Sequence, residues 1–324
     1  MGIVAPSDRA EFSGFDAFFD EAIAPYLAEK ERDRVEAVAK SLIAAAAAAA
    51  FALAVAAFAP FGSANIQFAI IIGCAGVFGA AWIVDHARAD ITHGLLEKIA
   101  GKFGFRYKGA MERPPYYDRF RRLKLIPGHN REKWEDEVRG EHAGNSFLLC
   151  EAHLKVKSSG KNSSERTVFH GQLFMIDYAK RFLGTTVVLR DGGILNAIMK
   201  PGREFQRVGL ASPAFEKAFE AWSTDQVEAR DLLDPMVLER FQELERLYNG
   251  KKLRAAFDDG KLLIAIETGD RFNIGTMFAP LRGADRVNVI LKEFDVVFDL
   301  IDVVLKRVER PTGGAFTLAD VKAR

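Results

Sequence analysis

Six histidines are the residues of this chain best suited to metal binding or proton transfer. They are His86, His93, His129, His142, His153 and His170. No two of them have the spacing of a metal-ligand pair, and no CxxC motif accompanies them, so the sequence assigns no zinc site. His153 and His170 fall in facing predicted strands and can approach one another there. Because histidines in strands are usually structural, we predict no metal ligands.

Other catalytic motifs are missing from the sequence. Gly160-Lys161 resembles the end of a phosphate loop, but Lys155 stands where that loop needs glycine, and Asn162 stands where Ser or Thr would bind magnesium. There is no GxSxG elbow and no HExxH motif, and the spacing of the aspartates singles out no acid and base pair. We therefore predict no catalytic residue and no cofactor, and the sequence leaves open whether the protein is an enzyme.

The segment Asp225-Gln-Val-Glu-Ala-Arg230 is a candidate binding site. Its first interpretation is structural: Ser223 and Asp225 cap a helix, and Arg230 forms an ion pair. Glu228 and Arg230 are two residues apart, so on a helix they point in different directions. The alternative is that Arg230 binds a partner.

A basic stretch at residues 98–133 contains eleven Lys or Arg against three Asp or Glu. The candidate binding residues within it are Arg119, Arg121, Arg122 and Lys124. Next to a membrane, such a stretch can bind anionic lipid headgroups, with about 1 kcal/mol from each basic residue near the surface. The alternative is a solvated face that only reflects the excess of positive charge on the cytoplasmic side. Nucleic acid is not expected as a partner, because the aromatic residues here form no stacking motif.

Two apolar segments, residues 41–60 and 66–84, contain no charged residue. A helix rises about 1.5 Å per residue, so each segment is long enough to cross a hydrocarbon core of about 30 Å. We therefore predict a transmembrane helical hairpin over residues 41–84, with glycines 73, 76 and 79 on a smooth face for close packing. A soluble alanine-rich hairpin is the alternative. The first segment is mostly alanine, and we expect the second to insert more strongly.

The distribution of basic residues predicts the orientation of this hairpin. Lys and Arg residues precede the first segment and follow the second, whereas the turn between them has none. By the positive-inside rule, we expect two spans with both termini in the cytoplasm and the turn between the helices on the outer side. The two cysteines, Cys74 and Cys150, are too far apart in this arrangement to form a disulfide, which agrees with a reducing compartment.

Beyond residue 101, short β-branched and aromatic runs are separated by turn residues. Predicted strands cover residues 147–156, 168–178, 185–189, 203–210, 253–257 and 261–267. Predicted helices cover residues 8–27, a short segment opened by Ser212-Pro213, the segments after Ser223 and Asp234, and residues 284–308. Strands and helices cluster without regular alternation, so the fold class is α+β: a two-helix transmembrane hairpin, then a mainly antiparallel sheet domain with flanking helices.

The predicted organisation has four parts. Residues 1–40 form a cytoplasmic amphipathic helical segment, and residues 41–84 form the hairpin. Residues 85–310 form a cytoplasmic α+β domain, and residues 311–324 form a flexible tail.

The order of these segments resembles an uncharacterised bacterial family, domain of unknown function 3137. The resemblance lies in FHGQLFMIDYAKRFLGTTVVL, VGLASPAFEKAFEAWSTDQVEARDLLDPMVLERFQEL and LLIAIETG, between residues 169 and 268. Its most specific part is STDQVEARDLLD at residues 223–234, followed by Pro235. Members of that family similarly carry an N-terminal pair of predicted spans. The resemblance supports the layout but implies no activity and no catalytic residues.

Together these observations predict a membrane-anchored protein that acts through binding. The leading hypothesis is an interaction or scaffold protein of the bacterial inner membrane, whose partners are the lipid bilayer, anionic headgroups and a further protein. The alternative is a membrane-tethered enzyme whose site comes from residues distant in sequence. A transport subunit is disfavoured, because the two spans contain no ionisable residue that would mark an ion path.

Overall fold

The structure is a computed structural model that describes residues 2–60, 62–160, 163–178, 181–190, 201–210, 216–248 and 251–305. The chain divides into two compact units, Met1–Phe103 with Phe272–Glu293, and Gly104–Arg271 with Phe294–Arg324. The short helix predicted after Ser212-Pro213 begins outside the described residues, as does the predicted tail at residues 311–324.

The first unit is built on two long helices. A 3₁₀ turn at Ala10–Phe12 precedes α1, Phe15–Phe18, and a π-helical turn at Phe19–Ile23 leads into α2, Ala24–Phe58. A second 3₁₀ turn, Gly62–Ala64, leads into α3, Asn65–Lys102. The helix predicted at residues 8–27 therefore begins later than predicted, at Phe15, and continues into the helix of the first apolar segment. The helix starts only after Gly14, because the positive φ of 67° at this residue is incompatible with an α-helix. Pro25 lies in the first turn of α2, where proline is tolerated.

Helices α2 and α3 pack against each other as an antiparallel hairpin. The hydroxyl of Tyr26 donates a hydrogen bond to the carbonyl of Ile91 at 3.0 Å. Farther along, Gly76 lies so close to Ala48 that an added Cβ would come within 2.1 Å of the Ala48 Cβ. Gly73 and Gly79 have no such neighbour, so Gly76 alone of the three predicted glycines provides the close approach. By length and composition, both helices are long and apolar enough to cross a membrane.

A loop at residues 272–284 is held against α2 within the same unit. The Arg34 guanidinium donates to the carbonyl of Met277 at 2.7 Å, and the backbone N–H of Leu281 donates to Glu31 at 2.8 Å. The pKa of Glu31 lies below its usual value, chiefly because Arg34 donates a hydrogen bond to its carboxylate. The loop therefore has a fixed position relative to the first turns of α2.

The second unit contains a nine-stranded sheet in which every pairing is antiparallel. Its strands are β1 Arg106–Ala110, β2 Arg131–His142, β3 Asn145–Lys157, β4 Glu165–Asp177, β5 Thr186–Arg190, β6 Gln206–Val208, β7 Phe219–Ser223, β8 Lys251–Asp258 and β9 Lys261–Glu267. Their order is β1-β2-β3-β4-β9-β8-β5-β7-β6. Further helices among the described residues are α4 Tyr117–Arg122, α5 Gln226–Leu232, α6 Pro235–Leu247 and α7 Asp285–Leu305, and the division between the two units falls within α7, after Glu293. The predicted α+β class with a mainly antiparallel sheet is confirmed.

Three strands were not predicted, for two different reasons. Strand β1 and the long strand β2 lie in the basic stretch and beyond it, and the many charged residues of β2 hide its alternation. Strand β7 lies where the sequence predicted the helix opened by Ser212-Pro213. The pairing of β7 with β5 and β6 explains this outcome, because partner strands outweigh the weak local preference of FEAWS.

The two faces of the sheet have different coverings. On one face, Cys150, Ala152 and Leu154 of β3 pack in a core with Tyr117 and Phe120 of α4. Burial raises the pKa of the Cys150 thiol, which makes it unreactive. On the other face, rings meet along part of β3 and β4: Phe105 with Phe147 and Phe298, and Phe174 with Tyr248. The remaining end of this second face carries polar groups.

Candidate functional site

Strands β3 and β4 bring the polar groups of the second face together. The register pairs His153 with His170 and Glu151 with Gln172. Side chains of directly paired residues project from the same side of a sheet. Glu151 and His170 therefore lie side by side on the face opposite Cys150.

Asp270 completes a group of three possible metal ligands. It follows β9 in the chain, and its carboxylate lies 2.9 Å from Nε2 of His170. The Glu151 carboxylate lies 3.4 Å from the same nitrogen, and one ligand atom from each of the three residues lies within 4.8 Å of the others. The backbone N–H of Arg271 donates to the second Glu151 oxygen at 3.4 Å. We call Glu151, His170 and Asp270 the carboxylate–histidine cluster.

Burial dominates the electrostatics of this cluster. Glu151 is only 4% exposed, and burial, together with the hydrogen bond and negative charge of Asp270 and the charge of Asp136, raises its pKa to about 9. Despite partial burial, the pKa of Asp270 is lowered by its hydrogen bonds to Glu151 and His170. At neutral pH the proton therefore resides on Glu151, which donates a hydrogen bond to the Asp270 carboxylate.

A second carboxyl group lies nearby at an irregularity of β2. The pairing register of β2 with β3 shifts between Glu135 and Val138, and Asp136 lies inside this bulge with a φ of 52°. The hydroxyl of Tyr107 donates to Asp136 at 2.5 Å. Burial raises the pKa of Asp136 to about 6 despite that hydrogen bond, and burial beside Asp136 also raises the pKa of Tyr107. The bulge thus gives the Asp136 carboxyl group a buried position that it would not have in a regular strand.

The ring of His153 packs on the ring of His170. Their centroids are 4.4 Å apart with an interplanar angle of 14°, and Nε2 of His153 lies 3.0 Å from the hydroxyl of Thr167. The pKa of His153 is lowered, first by burial and then by the neighbouring His170. His153 therefore favours its neutral state and holds the orientation of the His170 ring.

Gln172 adds an unsatisfied oxygen to the same face. It is 1% exposed, and its Oε1 has no hydrogen-bond partner in the described part of the chain. It lies directly across from Glu151 in the β3–β4 register. A buried amide oxygen without a donor costs stability unless something else satisfies it.

The structure places the predicted basic residues in intramolecular contacts. Arg119 of α4 forms ion pairs with the buried Asp258 at 3.1 Å and with Asp259 at 2.9 Å, and Arg122 lies 3.9 Å from Asp258. Arg121 lies over the ring of Tyr117, 6.0 Å from its centroid. Lys124 follows α4 with a left-handed φ of 56°. Arg121 and Arg122 are nevertheless exposed, so both can contact a large anionic surface.

In the second predicted site, residues 225–230, the first residue has a structural role. Asp225 accepts hydrogen bonds from the backbone N–H groups of Val227 and Glu228, so it caps α5 as predicted. Glu228 is buried and accepts hydrogen bonds from the backbone N–H groups of Leu183 and Gly184. Arg230 is exposed, and the predicted ion pair is not found for it among the residues that the structure describes. The function of this exposed guanidinium stays a hypothesis.

Sequence reasoning missed the carboxylate–histidine cluster, although one signal was present. Glu151 is a carboxylate within the run FLLCEA, whose other residues are apolar, and a buried strand keeps such a residue only where it has partners. His170 was noticed only as a neighbour of His153. Asp270 lies about 100 residues farther along the chain, and nothing in the sequence connects it to the other two.

Comparison with known proteins finds a family match over part of the chain and no activity. Residues 167–306 match the family described as Protein of unknown function (DUF3137), which confirms the resemblance over this part of the chain. No protein of curated function matches the chain. A crystal structure of the mycobacterial trehalose monomycolate transport factor A, TtfA, is similar over 67% of this chain and 94% of that chain, with 12% identity and a TM-score of 0.34.

Proposed function

We propose that this chain, whose residues 167–306 match the family described as Protein of unknown function (DUF3137), is an inner-membrane protein with two spans and a cytoplasmic binding domain. In this proposal, α2 and α3 cross the bilayer, and both termini lie in the cytoplasm. The protein has no catalytic role in this proposal and acts as an interaction or scaffold protein. The organisation into residues 1–40, 41–84, 85–310 and 311–324 is part of the proposal.

The observation that carries this proposal is the exposed apolar surface of the hairpin. Large apolar side chains on both helices point away from the helix pair and are exposed. They are Leu42, Ile43, Phe51, Leu53, Phe58, Ile66, Phe68, Ile70, Ile71, Val77, Phe78 and Trp82. A continuous apolar surface on this scale is unfavourable in water and favourable among acyl chains. The bilayer supplies the covering that the described residues do not.

Charged groups mark one boundary of this apolar surface. Lys40 pairs with Glu36 at 2.6 Å before the apolar part of α2, and Arg88 pairs with Asp85 at 2.7 Å after the apolar part of α3. Trp82 stacks on His86 with ring centroids 5.5 Å apart, next to this boundary. Tryptophan favours the headgroup region, which supports a membrane surface at this level. The loop held against α2 adds the exposed Phe278 at the same end, beside Leu42 and Val77.

The binding role is supported by one edge of the sheet and by α4. Strand β1 is first in the strand order, so within the described residues one of its edges has no neighbouring strand. Its exposed residues include Arg106 and Lys108, and α4 exposes Arg121 and Arg122. Unpaired strand edges accept a strand from another chain, and basic side chains favour an acidic partner. We therefore expect an acidic protein segment as the partner, and binding to anionic headgroups instead is an outcome of the test below.

A membrane-tethered enzyme is the second candidate function. The carboxylate–histidine cluster favours it, because a buried carboxyl group with a pKa near neutrality or above is typical of functional sites. Ion-pair networks also shift pKa values, so the cluster by itself does not define a reaction.

Site-specific labelling tests the anchoring and the sidedness. In a Cys74→Ala background, one variant carries Ser63→Cys in the turn between the helices, and another carries Ser159→Cys in the loop between β3 and β4. We expect a membrane-impermeant maleimide to label Ser63→Cys in intact spheroplasts and Ser159→Cys only after permeabilisation. Native Cys150 is buried and serves as the unlabelled background. The reverse pattern would overturn the orientation, and recovery of the folded protein without detergent would overturn the anchoring.

Charge reversal tests the binding surface. Full-length protein in detergent carries Arg121→Glu with Arg122→Glu, and the matched control carries Lys157→Glu with Arg166→Glu in the β3–β4 hairpin. Affinity capture from the native membrane should recover a partner protein with the wild type and with the control double variant. We expect the Arg121→Glu, Arg122→Glu double variant not to recover that protein. Loss of only co-purified anionic lipid would assign the surface to headgroups. Equal capture by both pairs would contradict a binding role for α4.

A further inference from the structure

Three side chains with metal-binding atoms come from three separate segments of the second unit. Glu151 lies on β3, His170 on β4 and Asp270 in the segment after β9. Pairings of β4 with β3 and with β9 fix these segments next to one another. The grouping is therefore a product of sheet topology rather than of neighbouring residues along a surface loop.

The distances between the three groups suit a metal ion. A divalent ion such as zinc lies about 2.0–2.2 Å from its nitrogen and oxygen ligands, which places neighbouring ligands of a tetrahedron about 3.3–3.6 Å apart. Nε2 of His170 is 3.4 Å from the nearest Glu151 oxygen and 2.9 Å from the nearest Asp270 oxygen. The ligand atoms of all three residues lie within 4.8 Å of one another, so small side-chain rotations would bring them to the separations of a tetrahedral site.

The buried oxygen of Gln172 is an independent sign of a missing partner. Its Oε1 has no hydrogen-bond partner within the described residues, it is nine-tenths or more buried, and it belongs to the residue directly across from Glu151. Amide oxygens are ligands for divalent ions. The register places Gln172 on the same face as the cluster, so an ion bound there, or its water, is within one residue position of this side chain.

The surroundings of the cluster hold the ligands in place. The Arg271 N–H binds the second Glu151 oxygen, and His153 packs against the His170 ring. Such supporting contacts orient metal ligands and increase metal affinity. Asp270, by contrast, is 64% exposed, which gives an ion a path from solvent.

We propose that Glu151, His170 and Asp270 bind one divalent transition-metal ion of the zinc or manganese class, next to Gln172 on the same face of the sheet. One imidazole with two carboxylates favours such ions over magnesium, which prefers oxygen ligands alone and keeps most of its water. This inference goes beyond the proposed scaffold function and does not depend on it.

Metal binding to the full-length protein in detergent tests the proposal. The protein is stripped with a chelator and then titrated separately with Zn²⁺, Mn²⁺ and Mg²⁺ in equilibrium dialysis with metal analysis. We expect one Zn²⁺ or Mn²⁺ per chain and weaker binding of Mg²⁺. With Co²⁺ as the probe, we expect visible absorption bands of a site with nitrogen and oxygen ligands.

Matched variants assign the ion to these residues. His170→Ala and Asp270→Asn should each weaken Zn²⁺ binding by at least about 100-fold. Because Asp270 is exposed, Asp270→Asn is expected to fold normally, which thermal unfolding in chelator verifies. His142→Ala is the control, because His142 forms a histidine–aspartate pair with Asp302 at 2.8 Å outside the cluster.

Two results would overturn the proposal. The first is the absence of stoichiometric binding of any of these ions to the wild-type protein. The second is undiminished binding in folded His170→Ala and Asp270→Asn, or an equal loss in His142→Ala. In either case the cluster is a proton-sharing network without a metal.

Discussion

The hairpin and the sheet domain use the same apolar residue types in opposite surroundings. Phe58 and Phe78 on the hairpin are 85% and 76% exposed, whereas Phe174 and Phe219 in the sheet are fully buried. Removing phenylalanine from water is favourable in both cases, but protein atoms cover it in the sheet and only a bilayer can cover it on the hairpin. A residue list alone would not separate the two regions, whereas side-chain exposure does.

The two regions also treat polar groups differently. Residues 41–84 contain no charged side chain, while the sheet domain, including helix α5, buries Glu137, Glu151, Glu228, Arg254 and Asp258 with partners. For example, Arg254 donates to the carbonyl of Leu125 and to Glu267. Polar groups that have hydrogen-bond partners cost little free energy inside a folded domain. An isolated charged side chain facing lipid has no comparable partner. The following predictions test this contrast, beginning with the largest expected effect.

Replacing phenylalanine by alanine should change the stability of the sheet domain far more when the ring is in the sheet than when it is on the hairpin. Phe174→Ala removes a buried ring that contacts Tyr248, and we expect it to destabilise the sheet domain by about 3–5 kcal/mol. Phe78→Ala removes an exposed ring and should leave the domain's unfolding transition unchanged. Both are measured by denaturant unfolding of the detergent-solubilised protein, followed by protease resistance of the domain. Equal losses would show that Phe78 packs against protein rather than lipid.

A charge placed in the second helix should disrupt anchoring without affecting the fold of the sheet. Ile70→Arg is expected to disfavour insertion by about 2.5–3.5 kcal/mol, because the guanidinium would face the hydrocarbon core. Ser159→Arg in the β3–β4 loop is the control. The measurement is the fraction of protein that resists alkaline extraction from membranes. Unchanged extraction of Ile70→Arg would contradict the spanning assignment of α3.

Glu151 should make the metal-free domain less stable as the pH rises. Its folded pKa of about 9 lies above the ordinary value of 4.5, so the folded state holds a proton that the unfolded state has lost. Stability is therefore fully present below about pH 4.5 and falls as the pH rises toward 9. In chelator, Glu151→Gln should unfold at a higher temperature than wild type at pH 8, with a smaller difference at pH 5.

Other titratable and charged groups near Glu151 contribute to the same pH range and must be controlled. They are Tyr107, Lys133, Glu135, Asp136, His153, His170, Asp270 and Arg271. The control variant Glu165→Gln changes an exposed carboxylate whose pKa is lowered by Lys155. A difference between Glu151→Gln and wild type that does not change with pH would show that Glu151 is ionised in the folded protein.

The smallest expected effect concerns helix capping. Helices α2 and α3 have no side-chain cap at their first residues, whereas the short helix α5 begins with two hydrogen bonds to Asp225. Asp225→Ala should cost the sheet domain about 1 kcal/mol, because two backbone N–H groups lose their acceptor. Val227→Ala, at an exposed position of the same helix, is the control and should be nearly neutral. A neutral Asp225→Ala would mean that water replaces the cap.

The sequence predicted the fold best where the chain has a simple period or a clear turn. Strands β3, β4, β8 and β9 and helix α6 were found close to their observed bounds. Strand β2 was not predicted, because its outward residues are charged and the bulge at Asp136 interrupts its alternation of polar and apolar residues. Strand β7 escaped because FEAWS has no strong strand signal of its own, and its neighbours β5 and β6 determine its conformation.

By itself, the sequence determined the two apolar helices, the α+β class and the capped start of α5, since each depends on residues close together in the chain. Only the tertiary structure decided which polar side chains meet. Asp270 reaches His170 because β9 pairs with β4, and Asp136 turns inward because β2 bulges against β3. Hydrophobic periodicity and capping are local properties, whereas a site assembled across strands depends on pairing partners and register, which a single sequence does not specify.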